Sequence, residues 1–271
     1  MAYLENSAKI IWHQRMSYKR WILWGFWLFT LCFFTLCWHF MTQNTLWIFV
    51  LDAPIQAEDL LGRMFPPRWS YISTLLKPLW DTLNVATLGT LLGIVLAFPV
   101  AFLAAQNTTP SRYVVRPIAL FIIVSSRSIN SLIWALLLVA IFGPGLFAGI
   151  IAIALRSIGF VAKLLYEAIE EVDKTPIEAL VSTGASAVQV IDYAIIPQIL
   201  PTFIGVSLFR WDINIRESTI LGLVGAGGIG LELQASLSVL AWPQVILIVL
   251  LIFITVILSE AFSAKIRKNI I

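Results

Sequence analysis

Three groups of residues in this chain have the types and spacing to do chemistry. The first is "GAGGIG", where Gly225, Gly227 and Gly230 satisfy G-x-G-x-x-G behind a short apolar run, with Gly228 between them. In a soluble βαβ unit that pattern seats a dinucleotide pyrophosphate. The second is "SSRSINS", Ser125 to Ser131, a polar cluster inside an apolar stretch. Arg127, Asn130, Ser131 and Trp134 stand at i, i+3, i+4 and i+7 of the third span and are expected to share one helical face. Further on, Asp212 and Arg216 are spaced to neutralise one another, Thr219 continues their face, and Asn214 and Glu217 point elsewhere. Such residues either line a polar, partly cationic passage for an oxyanion or tie two helices through Arg127 and Glu217 or Asp212. The third group is Thr175-Pro176-Ile177-Glu178, which reads as a capping box with Pro at the first helical position.

The elements that must position these residues follow from composition. Of 271 residues 59% are hydrophobic and 12% charged, about half the charge of a soluble domain. Mean hydropathy is +0.90. Trp21–Phe40, Leu83–Ala105 and Leu233–Ser259 contain no Asp, Glu, Lys or Arg, and each is about as long as a bilayer-spanning helix. Interrupted spans are legible over Pro117–Phe142, Leu146–Leu165 and Gln198–Val224. The expected fold is all-α and polytopic, with about six transmembrane helices. The first apolar run is too long for a cleavable leader and is followed by no small-residue cleavage site, so it is read as retained.

Basic residues set the orientation. Lys9, Arg15, Lys19 and Arg20 precede the first span, Arg112 and Arg116 lie between the second and third, and Lys265, Arg267 and Lys268 follow the last. Six spans bring all three clusters, and both termini, to the cytoplasmic side of a bacterial inner membrane. The net charge of +3 is small and scattered, which excludes a nucleic-acid partner. Cys32 and Cys37 fall on different helix faces, and there is no HExxH or CxxC, so no metal site is expected. No converging nucleophile or acid–base set marks an enzyme.

One cytoplasmic segment, Tyr166–Gln198, is acidic, so something besides topology shaped it. The helix starting near Thr175 should stop at Gly184 in a left-handed turn. Ser186 and Gln189 open a second capping box, and that helix should end near Pro197. Helices this short need a surface, supplied either by their own protein or by a cytoplasmic partner.

The residues Glu178-Ala179-Leu180, Gly184 four further on and Pro197 thirteen beyond that resemble the EAA loop of ABC-importer permeases. The family pattern has Ala where this chain has Leu180, Ile at Ala194 and Leu at Ile196. The stretches "FPPRW", "RSINSLIWALLLVAIFGPG", "GFVAKLLYEAIEEVDKTPIEAL" and "NIRESTILGLVGAGGIGLEL" look like phosphonate-type ABC permeases over about Leu60 to Lys268. The resemblance implies a type I importer permease with a membrane domain over 77–264, a coupling loop over 170–198, an N-terminal part over 1–76 and a basic tail over 265–271. It implies a homodimer joined to two ABC ATPase subunits and an extracytoplasmic binding protein. ATP and Mg would belong to the ATPase, with no cofactor in this chain. Glu178, Ala179, Gly184 and Pro197 would serve ATPase coupling, and the cargo would be phosphonate, phosphite, hypophosphite or phosphate. A permease for an amino acid or a quaternary amine is the alternative, because the EAA loop is shared across importers.

A dinucleotide site needs a carboxylate about 20 residues beyond the glycines, and that position falls in "VILIVLLIFI", the next carboxylate after Glu232 being Glu260. No G-x-x-x-x-G-K-[ST] is present either. Gly225, Gly227, Gly228 and Gly230 are instead expected to permit close helix contacts or a broken helix beside a cavity.

Overall fold

The computed structural model describes residues 17–43 and 45–270, so Lys9 and Arg15 of the first basic cluster lie outside them. The described elements are all helical. The chain divides into two compact units, Met1–Asp59 and Leu60–Ile271.

Helix α1 (Ser17–Gln43) contains the expected first span and buries nothing within its apolar window. Trp21, Trp24, Phe29 and Phe34 stand exposed around it, and Cys32 and Cys37 are free thiols. An all-round apolar surface of this kind suits lipid rather than water. Helix α2 (Trp47–Met64) follows, with Pro54 inside it.

The second unit is built on two long helices, α3 (Ile72–Ala104) and α6 (Leu146–Glu170), with α4 (Val115–Ser128) and α5 (Ser131–Phe142) between them. After α6 come α7 (Lys174–Ser182), α8 (Ala187–Val190), a π turn at Ile191–Ile195 and α9 (Ile196–Leu221). Helices α10 (Ile229–Ser238) and α11 (Trp242–Ile270) complete it. Glycines let α3 and α6 touch backbone to backbone. A Cβ on Gly89 would stand 2.8 Å from Ile153 Cβ, and one on Gly93 would stand 2.6 Å from Ser157 Cβ. Small residues at such a seam gain dispersion contacts where lipid removes the hydrophobic drive between helices. On the opposite side of α3, Leu88, Leu91 and Val95 are exposed.

Among the described residues five helices are long and apolar enough to cross a membrane, and a sixth span results if a bent pair is counted as one. That pair corrects the third expected span. Pro117–Phe142 is not one helix: α4 and α5 meet at 91°, with Ile129 extended and the Asn130 side chain capping Leu132 N at 3.2 Å. Arg127 therefore shares no helical face with Asn130, Ser131 and Trp134. The last span starts at Trp242 rather than Leu233, because α10 ends and the chain turns through Leu240 at φ 55°. Pro197 ends no helix. The π turn passes Ile196 N to Ile191 O, and that wider turn accommodates the proline ring within a continuing helix.

Candidate functional site

The acidic segment forms a helix–turn–helix on one end of the unit. Helix α7 is capped by Asp173, which accepts from Thr175 N at 3.0 Å and from the Thr175 hydroxyl at 2.9 Å. These hydrogen bonds hold the Asp173 carboxyl below the ordinary carboxylate range. Thr175 is thus a donor and not the cap: the helix begins at Lys174, so Glu178 stands too far along to reach back. At the other end Gly184 has φ +82°, with Gly184 N to Val181 O at 3.0 Å and Ala185 N to Leu180 O at 3.3 Å. Both bonds of a Schellman turn are present. Ser186 and Gln189 form the second capping box as the spacing indicated.

This loop is fastened to its own protein along one side. Ile177 packs on the core formed by Ala104, Leu165 and Ile169. Gln198 accepts from Asp173 N at 2.9 Å, while Glu170 accepts from Gln106 N at 2.9 Å and faces Arg116 at 3.4 Å. Glu178, Ala179, Gly184 and Val188 face outward, and Glu178 has no ion pair among the described residues. The first reading, a segment lying on its own protein, holds along one side, and the other side remains open.

The charged groups inside the spans gather on α6 and α9. Glu217 places Oε1 3.4 Å from Arg156 Nε and accepts from Arg210 at Oε2, also at 3.4 Å. Arg210 is 2% exposed, with its Nε on Ser157 Oγ at 3.0 Å and its guanidinium over the Phe160 ring. Asn214 donates to Thr90 Oγ1 at 2.7 Å and Ser157 Oγ at 3.0 Å. Asp212 pairs with Arg216 at 3.1 Å, as their spacing indicated, and accepts from Ser259 on α11. Thr219 turns its hydroxyl to Arg216 O.

Arg127 is absent from this network. It is exposed at the end of α4, and among the described residues it has no ion-pair partner. The pairing of Arg127 with Glu217 or Asp212 does not occur, because Arg156, Arg210 and Arg216 already hold those carboxylates. Ser126 beside it is structural, bridging Gly159 N and Leu155 O of α6. The residues that the sequence alone did not single out are Thr90, Arg156, Ser157 and Arg210. Their signal was present: Arg156 and Arg210 interrupt apolar spans, and Arg210 and Glu217 are spaced two turns apart.

The glycines break a helix. Gly225, Gly227 and Gly228 have φ of +89°, +78° and +76°, a region glycine enters without a Cβ penalty. A Cβ on Gly222 would stand 2.6 Å from Gly230 Cα, and one on Gly230 would overlap Thr219 O. Thr82 Oγ1 receives Ile229 N at 2.8 Å, and Gly225 O receives Gly145 N at 3.0 Å. Buried backbone that leaves the helix is thereby satisfied by neighbouring elements, as the membrane interior demands.

The family model of "Binding-protein-dependent transport system inner membrane component" matches residues 89–268. The phosphite transport system permease protein of Stutzerimonas stutzeri is 41% identical over 235 residues, covering 86% of this chain and 84% of that one. The phosphate-import permease protein of Mycolicibacterium smegmatis is 39% identical over 224 residues, which are 81% of this chain and 42% of that protein. In structure, the chain resembles a subunit of an inward-facing methionine ABC transporter at TM-score 0.65 and 21% identity, covering 75% of this chain and 99% of that one.

Proposed function

Because the chain belongs to the binding-protein-dependent transport system inner membrane component family and is an ABC-importer permease, we propose that its cargo is a phosphorus oxyanion: phosphite, hypophosphite, phosphonate or phosphate. The observation that carries this reading is charge. Within α4, α6 and α9, once the paired Lys163–Glu167 and Arg116–Glu170 are set aside, Arg127, Arg156, Arg210 and Arg216 outnumber the carboxylates Asp212 and Glu217. An ionisable group at mid-bilayer costs about 2.5–3.5 kcal/mol on insertion scales. An excess of positive charge there suits an anion and opposes a quaternary amine. The names of the phosphite and phosphate relatives support the same class, whereas the likeness to the methionine transporter extends to fold alone.

The working unit is a homodimer with two ATPase subunits and a binding protein. Arg127 is exposed and the Arg216 side chain is 52% exposed on a single copy. Hydrocarbon cannot receive them, so a second copy or a water-filled passage must. Six spans without an internal repeat are also too few to enclose a passage. Glu178, Ala179, Gly184 and Pro197 serve ATPase coupling. Arg127, Asn130, Ser131, Asp212, Asn214, Arg216, Glu217 and Thr219 belong to the wall of the passage or its immediate support. Both termini lie in the cytoplasm, ATP and Mg act on the partner ATPase, and this chain performs no catalysis.

Co-expression with the partner ATPase and binding protein tests this. Native mass spectrometry should give two permeases and two ATPases, and proteoliposomes should take up labelled phosphite, phosphonate or phosphate. Uptake of methionine or glycine betaine in their place would overturn the cargo assignment.

A further inference from the structure

Arg156 and Arg210 share one carboxylate but differ in every other respect. The Arg210 side chain is 2% exposed and fixed through Nε to Ser157, whereas that of Arg156 is 29% exposed. Glu217 gives each a separate oxygen, Oε1 to Arg156 and Oε2 to Arg210, both at 3.4 Å. Tight charge-assisted bonds run near 2.7–2.9 Å, so neither contact is clenched. The second edge of Arg156 donates to Ile129 O, the backbone carbonyl at the break between α4 and α5, at 3.3 Å.

Arg156 lies ten residues beyond Leu146 in α6, about 15 Å along the axis, near the middle of a hydrocarbon layer about 30 Å thick. Arg127 reaches the same side of α6: its Cγ is 2.8 Å from the place of a Cβ on Gly159, one turn beyond Arg156. One accessible guanidinium, that of Arg156, therefore shares a carboxylate with the sealed guanidinium of Arg210, while the stem of Arg127 packs one turn further along α6.

We propose that Glu217 is a resident counter-anion, occupying on Arg156 the place that the transported oxyanion takes in passing, while Arg210 keeps hold of Glu217 during the exchange. This rests on the oxyanion reading above. A carboxylate and a phosphorus oxyanion present the same fork of oxygens to a guanidinium. Arginines alone would bind such an anion too well for it to leave, and conduction needs a site weak enough to empty. Glu217 supplies that weakness. It neutralises the empty site, yields Oε1 to the cargo, and returns to expel it.

The test uses the permease–ATPase complex in nanodiscs and the full complex with binding protein in proteoliposomes, with labelled phosphite as probe. Glu217→Gln keeps the size of the side chain and a hydrogen bond to Arg210 while removing the competing charge. It should raise phosphite retention by the permease–ATPase complex roughly tenfold, as loss of one half-buried competing charge does, and lower the turnover of uptake. Arg156→Gln should abolish both retention and uptake in an assembled complex, with partial recovery of uptake in Arg156→Lys. If Glu217→Gln fails to assemble, Glu217→Asp, too short to span both arginines, should give the same rise in retention. Retention and uptake unchanged in the assembled Glu217 variant would overturn the proposal. So would an Arg156→Gln complex that falls apart and is restored by adding Glu217→Gln, since the group would then be a helix tie. Failure of the wild-type complex to take up any phosphorus oxyanion would instead overturn the functional reading.

Discussion

Arg127 shows what a single charge does when its expected partners are taken. Glu217 is held by Arg156 and Arg210, and Asp212 by Arg216 and Ser259, so no stranded carboxylate would follow the loss of Arg127. Breaking a buried pair typically costs about 3–5 kcal/mol, and that penalty does not apply here. Arg127→Gln should therefore leave the thermal stability of the assembled complex near that of wild type while lowering oxyanion uptake. A loss of stability together with uptake would show that Arg127 holds the fold. Arg210 is the opposite case: at 2% exposure, with Glu217, Ser157 and the Phe160 ring around it, it is a structural cation.

Two breaks decide what the elements can do. At Gly222–Gly228 the chain leaves α9, passes three positive-φ glycines and restarts as α10. Gly225 has room, since its nearest neighbour to a Cβ would be at 3.6 Å, whereas a Cβ on Gly228 would lie 2.5 Å from Thr82 Oγ1. Gly228→Leu therefore adds a clash with the hydroxyl that receives Ile229 N to a backbone strain of about 1–3 kcal/mol, since φ 76° with ψ −164° is a region essentially reserved for glycine. Its complex should assemble poorly by size-exclusion chromatography and transport less, while Gly225→Ala should bear the strain alone and assemble better. Equal assembly of the two would show that Thr82 does not secure this turn. The other break, between α4 and α5, has no glycine or proline at its centre. Asn130 makes it by capping α5 in place of continuing α4.

At the scale of the whole molecule, the proposed coupling role requires the loop over 170–198 to carry force between a partner and the spans. Its inner side is tied at Gln198, Glu170 and Arg116, and its outer side presents Glu178 and Ala179. Gly184 holds the two short helices at a fixed angle, and nothing lies within 4 Å of where its Cβ would be. A β-branched residue there meets only backbone strain, about 1–2 kcal/mol. Gly184→Val should therefore insert and assemble yet lose the ATPase stimulation given by loaded binding protein, and Gly184→Asn, which tolerates φ > 0, should retain more of it. Normal stimulation in Gly184→Val would remove this turn from the coupling path.

The sequence by itself determined the features that depend on local composition. A run of about 20 uncharged apolar residues is a span whatever it packs against, and Gly184 turns left-handed because the helix before it has run out. The Asp212–Arg216 pair is likewise a property of one helix. Tertiary structure alone decided the rest. Asp173 rather than Thr175 caps α7, at a point where Gln198 of α9 receives the Asp173 N–H from 25 residues away. Pro197 lies inside a helix because a π turn opened space for its ring. Glu217 chose Arg156 and Arg210 over Arg127 because the Gly89 and Gly93 seam brings α3 against α6, where Thr90 and Ser157 together receive Asn214 of α9 and set the position of Glu217 beside them. Arg156 and Glu217 come from different helices, about 60 residues apart in the chain, and no spacing rule along the sequence encodes that partner.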